Sequence, residues 1–293
     1  MVEKKPLVSI IMPFYDDGSR ETRKYFSLAV ESIMHQTFCN FELVVVVSGH
    51  KDYAKRLSSG NSKMRVLYCG TEGGYDQGIK NKVNGLAMAR NCGVNDSKGE
   101  LIAFADADDI SVPRRIEIQV AKMLAAPSIG VLGSGLETID EGGKTIGHRV
   151  AIVGDQKIKS GMVLFNTVYQ PSVMIRKKLI VDVGGYREII AEDYDLWVRL
   201  LNKTRFENIP TPLIKYRIHS KSGVIRYRTQ IILGTMKTKA DAARKLGRTM
   251  SLHETAINYL QILSVIAAIV IGERNFEKHA RPLVYGLLAG GKI

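Results

Sequence analysis

The stretch Leu101-Ile-Ala-Phe-Ala-Asp-Ala-Asp-Asp-Ile110 decides how this chain is read. Five apolar residues run without a break and then give way to Asp106, Asp108 and Asp109. A short apolar run bounded by polar residues fits a strand buried on both faces. Three carboxylates at its C-terminal end repel one another, so the cluster is costly unless a cation or ligand compensates it. Hard oxygen donors of this kind suit magnesium or manganese. A second acidic pair, Glu192-Asp193, opens the stretch Ala191-Glu-Asp-Tyr-Asp-Leu-Trp-Val-Arg-Leu200, which has the pattern of a helix start. One acidic group to hold a metal and another to take a proton are the parts of a transferase site.

Working outward from the acidic run, Leu7–Met12, Phe41–Val47 and Met64–Tyr68 are apolar, β-branched runs that predict buried strands, the first ending at Pro13. Residues 20–36 carry Tyr25, Leu28, Ala29 and Ile33 at helical spacing behind a Gly18-Ser19 cap, and residues 80–95 also predict a helix. Alternating strands and helices imply a parallel sheet covered on both faces, with ligands bound beyond the carboxyl ends of the strands. Pro13-Phe-Tyr-Asp-Asp17, Ser48-Gly49 and Asp106–Asp109 all fall on that edge, so three loops converge on one site. Further along, Pro113–Ala125 predicts a helix, Ile129–Ser134 and Ser172–Ile175 predict strands, and the Gly-rich, charged residues 140–160 a surface excursion. No Gly-rich dinucleotide fingerprint follows the first strand, which disfavours an oxidoreductase.

The chain has 293 residues, 45% of them hydrophobic and 24% charged, with a net charge of +13. That length suffices for a sizeable core, and the composition is that of a soluble globular protein. The positive balance favours polyanionic partners such as nucleotide diphosphates or anionic lipid; no nucleic-acid module accompanies it, so nucleic acid is not expected. Residues 221–250 hold eight Lys or Arg against one Asp, a net +7, and the almost wholly apolar Ala256–Ile271 follows. Sixteen residues are short for a bilayer span, which leaves a helix buried against the domain or a partner, or one lying in a single leaflet. Cys39, Cys69 and Cys92 form no Cys-x-x-Cys pair and predict reduced thiols in the cytoplasm. The N-terminus lacks the apolar core of a signal peptide.

From Val8 to about Ser222 the chain resembles family 2 glycosyltransferases, inverting enzymes of the GT-A fold found in bacterial cell-surface polysaccharide assembly. The resemblance rests on motifs in order: Val8–Tyr15, Glu31-Ser32, Gln36-Thr37, Asn40–Leu43, Ala89-Arg-Asn91, Gly99-Glu100, Asp106–Asp109, Pro113, Arg114 and Gln119. Gly184-Gly-Tyr186, Glu192-Asp193, Leu196, Arg199 and Tyr216-Arg-Ile-His219 follow. It implies an α/β, Rossmann-like, mainly parallel sheet flanked by helices. Residues 1–110 would form the nucleotide-sugar half, 111–222 the acceptor half, and 223–293 a basic and apolar helical extension. The implied reaction is metal-assisted transfer, with inversion, of a sugar from a nucleoside diphosphate sugar, a UDP-sugar first among them, to a hydroxyl acceptor.

The same resemblance assigns roles. Asp193 would be the general base, with Glu192 orienting it or the acceptor. Pro13, Phe14, Tyr15, Asp16, Ser48, Arg90, Asp106 and Asp108 would bind the donor, with Asp108, Asp106 and His219 holding manganese or magnesium. The acceptor would be a saccharide or lipid-linked saccharide, and the location cytoplasmic, with peripheral membrane contact through 223–293 and a homodimer through the apolar helix as further expectations. Two positions depart from the family pattern. Val47-Ser48-Gly49-His50 lacks the Asp that pairs with uracil, which leaves room for another nucleotide, and Gln170 stands where His is common. A decayed enzyme acting as a binding or scaffold protein is the alternative. A nucleotidyltransferase is disfavoured because residues 13–19 form no triphosphate loop.

Overall fold

Val8, Ile10, Met12 and Phe14 enter one core from the first strand, and Ile11, pointing the other way, enters a second. The computed structural model describes residues 7–50, 52–68, 78–219 and 228–271. Nine strands form one sheet: β1 (Val8–Asp16), β2 (Phe41–Gly49), β3 (Met64–Tyr68), β4 (Leu101–Phe104), β5 (Ile110–Ser111), β6 (Ile129–Ile139), β7 (Thr145–Arg149), β8 (Met174–Arg176) and β9 (Arg205–Arg217). Their order is β3-β2-β1-β4-β8-β6-β9-β5, with β7 hairpinned on β6. The first four strands are parallel, β8 lies antiparallel between β4 and β6, and β9 runs parallel to β6. The fold is therefore mixed α/β with a mainly parallel first half, as expected.

Beneath one face lie α1 (Arg20–Met34) and α4 (Arg115–Ala125), whose Phe26, Ile33, Ile116 and Val120 meet Ile10, Met12, Leu43 and Val45. The other face carries α3 (Gly78–Asp96) and α7 (Glu192–Leu200), packing Ala87, Ala89, Leu196 and Trp197 against Ile11, Val44, Val46 and Phe104. The larger aliphatic side chains and Phe among these each contribute roughly 1.5–3 kcal/mol by leaving water. The shorter α2 (Asp52–Ser58), α5 (Asp155–Gly161) and α6 (Lys177–Asp182) join the strands. Two long helices, α8 (Arg228–Lys245) and α9 (Leu252–Ile271), close the described chain. Residues 223–227 and 272–293 of the expected extension lie outside the described residues.

The structure extends two expectations. β1 runs through Pro13 to Asp16 instead of stopping at Pro13. It pairs with β4 only as far as Ile11, so from Met12 onward one side of the strand has no sheet neighbour, and proline's missing N–H costs nothing there. Residues 140–160 lie mostly at the surface and are ordered there: they hold β7 and the start of α5, because β6 offers β7 an open edge. Cys39 is free and exposed, but Cys92 is disulfide-bonded, against the expectation of reduced thiols throughout.

The end of β1 is anchored by Asp16, whose buried carboxylate takes Arg23 through two 3.1 Å Nε contacts and the Gly18 N–H at 2.8 Å. Its carbonyl takes the His50 N–H at 3.0 Å across the β2 turn. That turn needs Gly49, at φ +82° with its would-be Cβ only 2.3 Å from the Asp16 carbonyl oxygen. Gly49→Ala should therefore destabilise the protein by about 1–3 kcal/mol in denaturant melts; an unchanged midpoint would show that the turn can relax.

Candidate active site

β4 delivers the acidic cluster to the carboxyl edge of the sheet in a tight turn, in which the Asp109 N–H meets the Asp106 carbonyl at 3.3 Å. Opposite it, α7 begins at Ala191, the one non-glycine with positive φ among the described residues (57°). Left-handed backbone at alanine is strained and persists only where its surroundings hold it. The kink starts α7 so that Glu192 is buried and Asp193 half-buried at its first turn.

Arg90 joins the two acidic groups. Buried on α3, it pairs with Glu192 and lies 3.8 Å from Asp106. Its guanidinium rests over the Tyr186 ring, 5.6 Å from the centroid. Tyr186 is fixed in turn: Asn91 clamps its backbone N–H (2.7 Å) and carbonyl (2.8 Å), and Gln170 donates to its hydroxyl at 2.9 Å. Asp193 is held at both oxygens, Oδ1 taking the Tyr194 N–H at 2.8 Å and Oδ2 the Asn166 amide at 2.9 Å. On the other side of the cluster, Asp108 Oδ2 meets His219 Nε2 at 2.9 Å.

Two further buried arginines hold the loop. Arg217 donates to the carbonyls of Asp108 (2.9 Å), Asp140 (3.1 Å) and Glu141 (3.2 Å), and its backbone N–H donates to Asp109 (2.8 Å). Tyr25 stacks under Arg217 at 4.5 Å and lies 5.4 Å from the His219 ring. Arg115 bonds the Phe104 carbonyl (2.7 Å), Ser111 (3.1 Å) and Gln119 (3.1 Å), beneath the cluster.

Burial dominates the electrostatics. It raises Asp106 to about 6, against the opposing pull of Arg90 and with Asp108 and Asp193 adding to the rise. It raises Glu192 to about 7, again opposed by Arg90, and pushes Asp109 well above the usual carboxylate range. Asp193 is raised as well, burial outweighing Arg90, Tyr194 and Asn166. Burial lowers Arg115 to about 9. These groups sense one another's charge and form one site.

The expected residues are placed as follows. Asp106, Asp108, Arg90, Glu192, Asp193 and His219 come together. Pro13, Tyr15 and Ser48 are half-exposed at the ends of β1 and β2, Tyr15 being Ser48's register partner. Phe14 points the other way and stacks on Phe26 at 3.8 Å in the core. Asp16 is occupied by Arg23 and braces the end of β1. Arg90 is engaged by carboxylates instead of standing free for a nucleotide. Arg115, Asn166 and the role of Arg217 were not foreseen from sequence. Only the spacing of Ser111, Arg115 and Gln119 at i, i+4 hints at the first of them.

Sheet and helices together are of the GT-A type. The profile of Glycosyl transferase family 2 matches residues 9–184, and the chain belongs to that family and is a glycosyltransferase. It is 31% identical over 227 residues to the O-antigen biosynthesis glycosyltransferase WbnJ of Escherichia coli, covering 74% of this chain and 81% of that protein. It is 29% identical to the UDP-Glc:alpha-D-GlcNAc-diphosphoundecaprenol beta-1,3-glucosyltransferase WfgD of Escherichia coli, covering 74% and 79%. S. aureus TarS 1-349 in complex with UDP-GlcNAc shares the fold at 16% identity, with a TM-score of 0.57 over 97% of this chain and 88% of that one.

Removing Arg90 leaves Asp106, Glu192 and Asp193 without their shared counter-ion, which raises their pKa values further. A carboxylate raised in the folded state loses its stability contribution as pH rises through the folded pKa. Arg90→Met should thus cost about 3–5 kcal/mol at pH 8 and clearly less at pH 5. Metal-free denaturant melts at the two pH values check this; equal losses would contradict it.

Proposed function

We propose that this enzyme transfers a sugar, with inversion, from a UDP-sugar to a hydroxyl of a lipid-linked saccharide in surface polysaccharide assembly. The observation that carries the reading is Asp193: a half-buried carboxylate at the first turn of α7, held at both oxygens, raised above the usual range and sensing the charge of the Asp106 cluster. Asp193 takes the proton from the acceptor hydroxyl, whose oxygen attacks the anomeric carbon as the bond to the diphosphate breaks on the opposite face. Tyr15 and Ser48, register partners at the ends of β1 and β2, would meet the nucleobase, with the Ser48 hydroxyl in place of a carboxylate. WfgD, by its name, takes UDP-glucose and a diphosphoundecaprenol-linked acceptor, which supports the same classes here.

A divalent cation fits the site. Five carboxylates (Asp106, Asp108, Asp109, Glu192, Asp193) face three buried arginines, a formal excess of two negative charges. Among the described residues no group of three or more His, Cys, Asp or Glu closes a metal cage. Asp108 and His219, 2.9 Å apart, would supply two ligands to it. When bound, it would offset the charge of the departing diphosphate.

The C-terminal helices favour peripheral contact with an anionic membrane. Leu233, Leu252, Tyr259 and Leu263 are exposed, with Lys237, Arg244, Lys245 and Arg248 also exposed on α8 and just beyond it. No helix among the described residues is long and apolar enough to cross a membrane.

Two experiments test these assignments. Asp193→Asn should lower turnover of UDP-glucose onto a GlcNAc-diphospho-lipid by roughly 10²–10⁴-fold, while manganese-dependent UDP affinity, titrated beside GDP, CDP and dTDP, stays within about twofold. Turnover at the wild-type rate removes the base. Full-length protein should float with anionic vesicles and a chain ending at residue 222 should not; equal flotation removes the helices as the anchor.

A further inference from the structure

α8 and α9 touch the supports of Asp193 from two sides. On α8, a Cβ added to Gly234 would stand 3.1 Å from Cβ and 3.2 Å from Cγ2 of Ile190. Ile190 immediately precedes Ala191, whose left-handed backbone aims α7. On α9, the buried Asn258 donates to the Val163 carbonyl at 3.5 Å. Val163 lies three residues before Asn166, which holds Asp193. The helices are fixed to each other by the buried Lys239, whose ammonium donates to Asn258 Oδ1 at 3.1 Å and to Gln261 Oε1. Asn202, just beyond α7, donates to the Lys245 carbonyl at 2.6 Å and pins the end of α8. α7, α8 and α9 all lie past residue 184, where the match to the family profile ends.

We propose that the C-terminal helix pair is a positioning frame for the catalytic base, in which Gly234 lets α8 fix the Ile190–Ala191 kink and Asn258 lets α9 fix the loop that carries Asn166. The inference rests on Asp193 being the base. Catalysis by proton transfer depends on placement at the ångström scale, so the frame acts on turnover, while donor binding rests on residues of β1, β2 and the β4 loop that neither helix touches through Gly234 or Asn258. Gly234 and Ile190 are positioning residues; neither touches substrate.

A size exchange tests this. Gly234→Val drives a side chain into Ile190, and Ile190→Ala in the same chain makes room for it. Gly234→Val should lose roughly 10- to 100-fold in kcat with UDP-glucose and a GlcNAc-diphospho-lipid. Its manganese-dependent UDP affinity should stay within about twofold and its melting temperature near wild type, and adding Ile190→Ala should restore most of the kcat. Hydrogen exchange at the amides of 191–195, which needs no substrate, should speed up in Gly234→Val and recover in the double variant. Wild-type kcat in Gly234→Val, a loss that Ile190→Ala does not relieve, or unchanged exchange overturns the inference. Retained turnover in Asp193→Asn would instead remove the base assignment, so the two failures are told apart.

Discussion

Compensation of buried negative charge is the constraint on which this molecule turns. Asp106, Asp109 and Glu192 are each raised far above ordinary carboxylates because burial outweighs the arginines that face them. Four segments bring a cation or a fixed donor to the cluster: α3 brings Arg90, α4 brings Arg115, β9 brings Arg217, and the loop after α5 brings Asn166. The sheet supplies the frame, but the charges decide which loops lie together. Arg90 is central, because it faces Asp106 on the β4 loop and Glu192 on α7 at once. The two acidic groups are held in one site by the cation between them.

Arg217 shows the same economy on the other flank. One guanidinium binds carbonyls from the β4 loop and from the β6–β7 turn, and its own N–H binds Asp109. With Tyr25 beneath it, the end of β9 is held rigidly enough to bring His219 to Asp108. A planar fork with several donors can join three chain segments in this way; a lysine at the same place could not.

Much of this was legible in the sequence, and what was not has a common cause. Strands β1 to β4 follow from apolar runs, and the acidic site follows from residues at strand ends. Phe14 was misplaced because a strand alternates, and its even-numbered residues face α1. β7 was missed because its sequence, Thr-Ile-Gly-His-Arg, carries no periodic signal, and pairing with β6 makes it a strand. The partners of the charged groups were the least legible of all. Arg90 and Glu192 are 102 residues apart, and Asp108 and His219 are 111 apart. Asn166, alone in a loop, gave no local sign of the carboxylate it holds. Motif order gave the cast of residues, while contacts between distant segments decided who faces whom.

The kink at Ala191 bears on how the sequence of this enzyme is free to drift. With φ at 57°, that position admits residues that enter left-handed backbone cheaply, glycine and asparagine foremost, and shuts out valine, isoleucine and threonine. A drifting chain can exchange many of the surface residues around α7, yet at 191 its alphabet shrinks to a few letters, set by a dihedral angle and independent of any substrate. Position 191 thus constrains the side chain through its backbone alone.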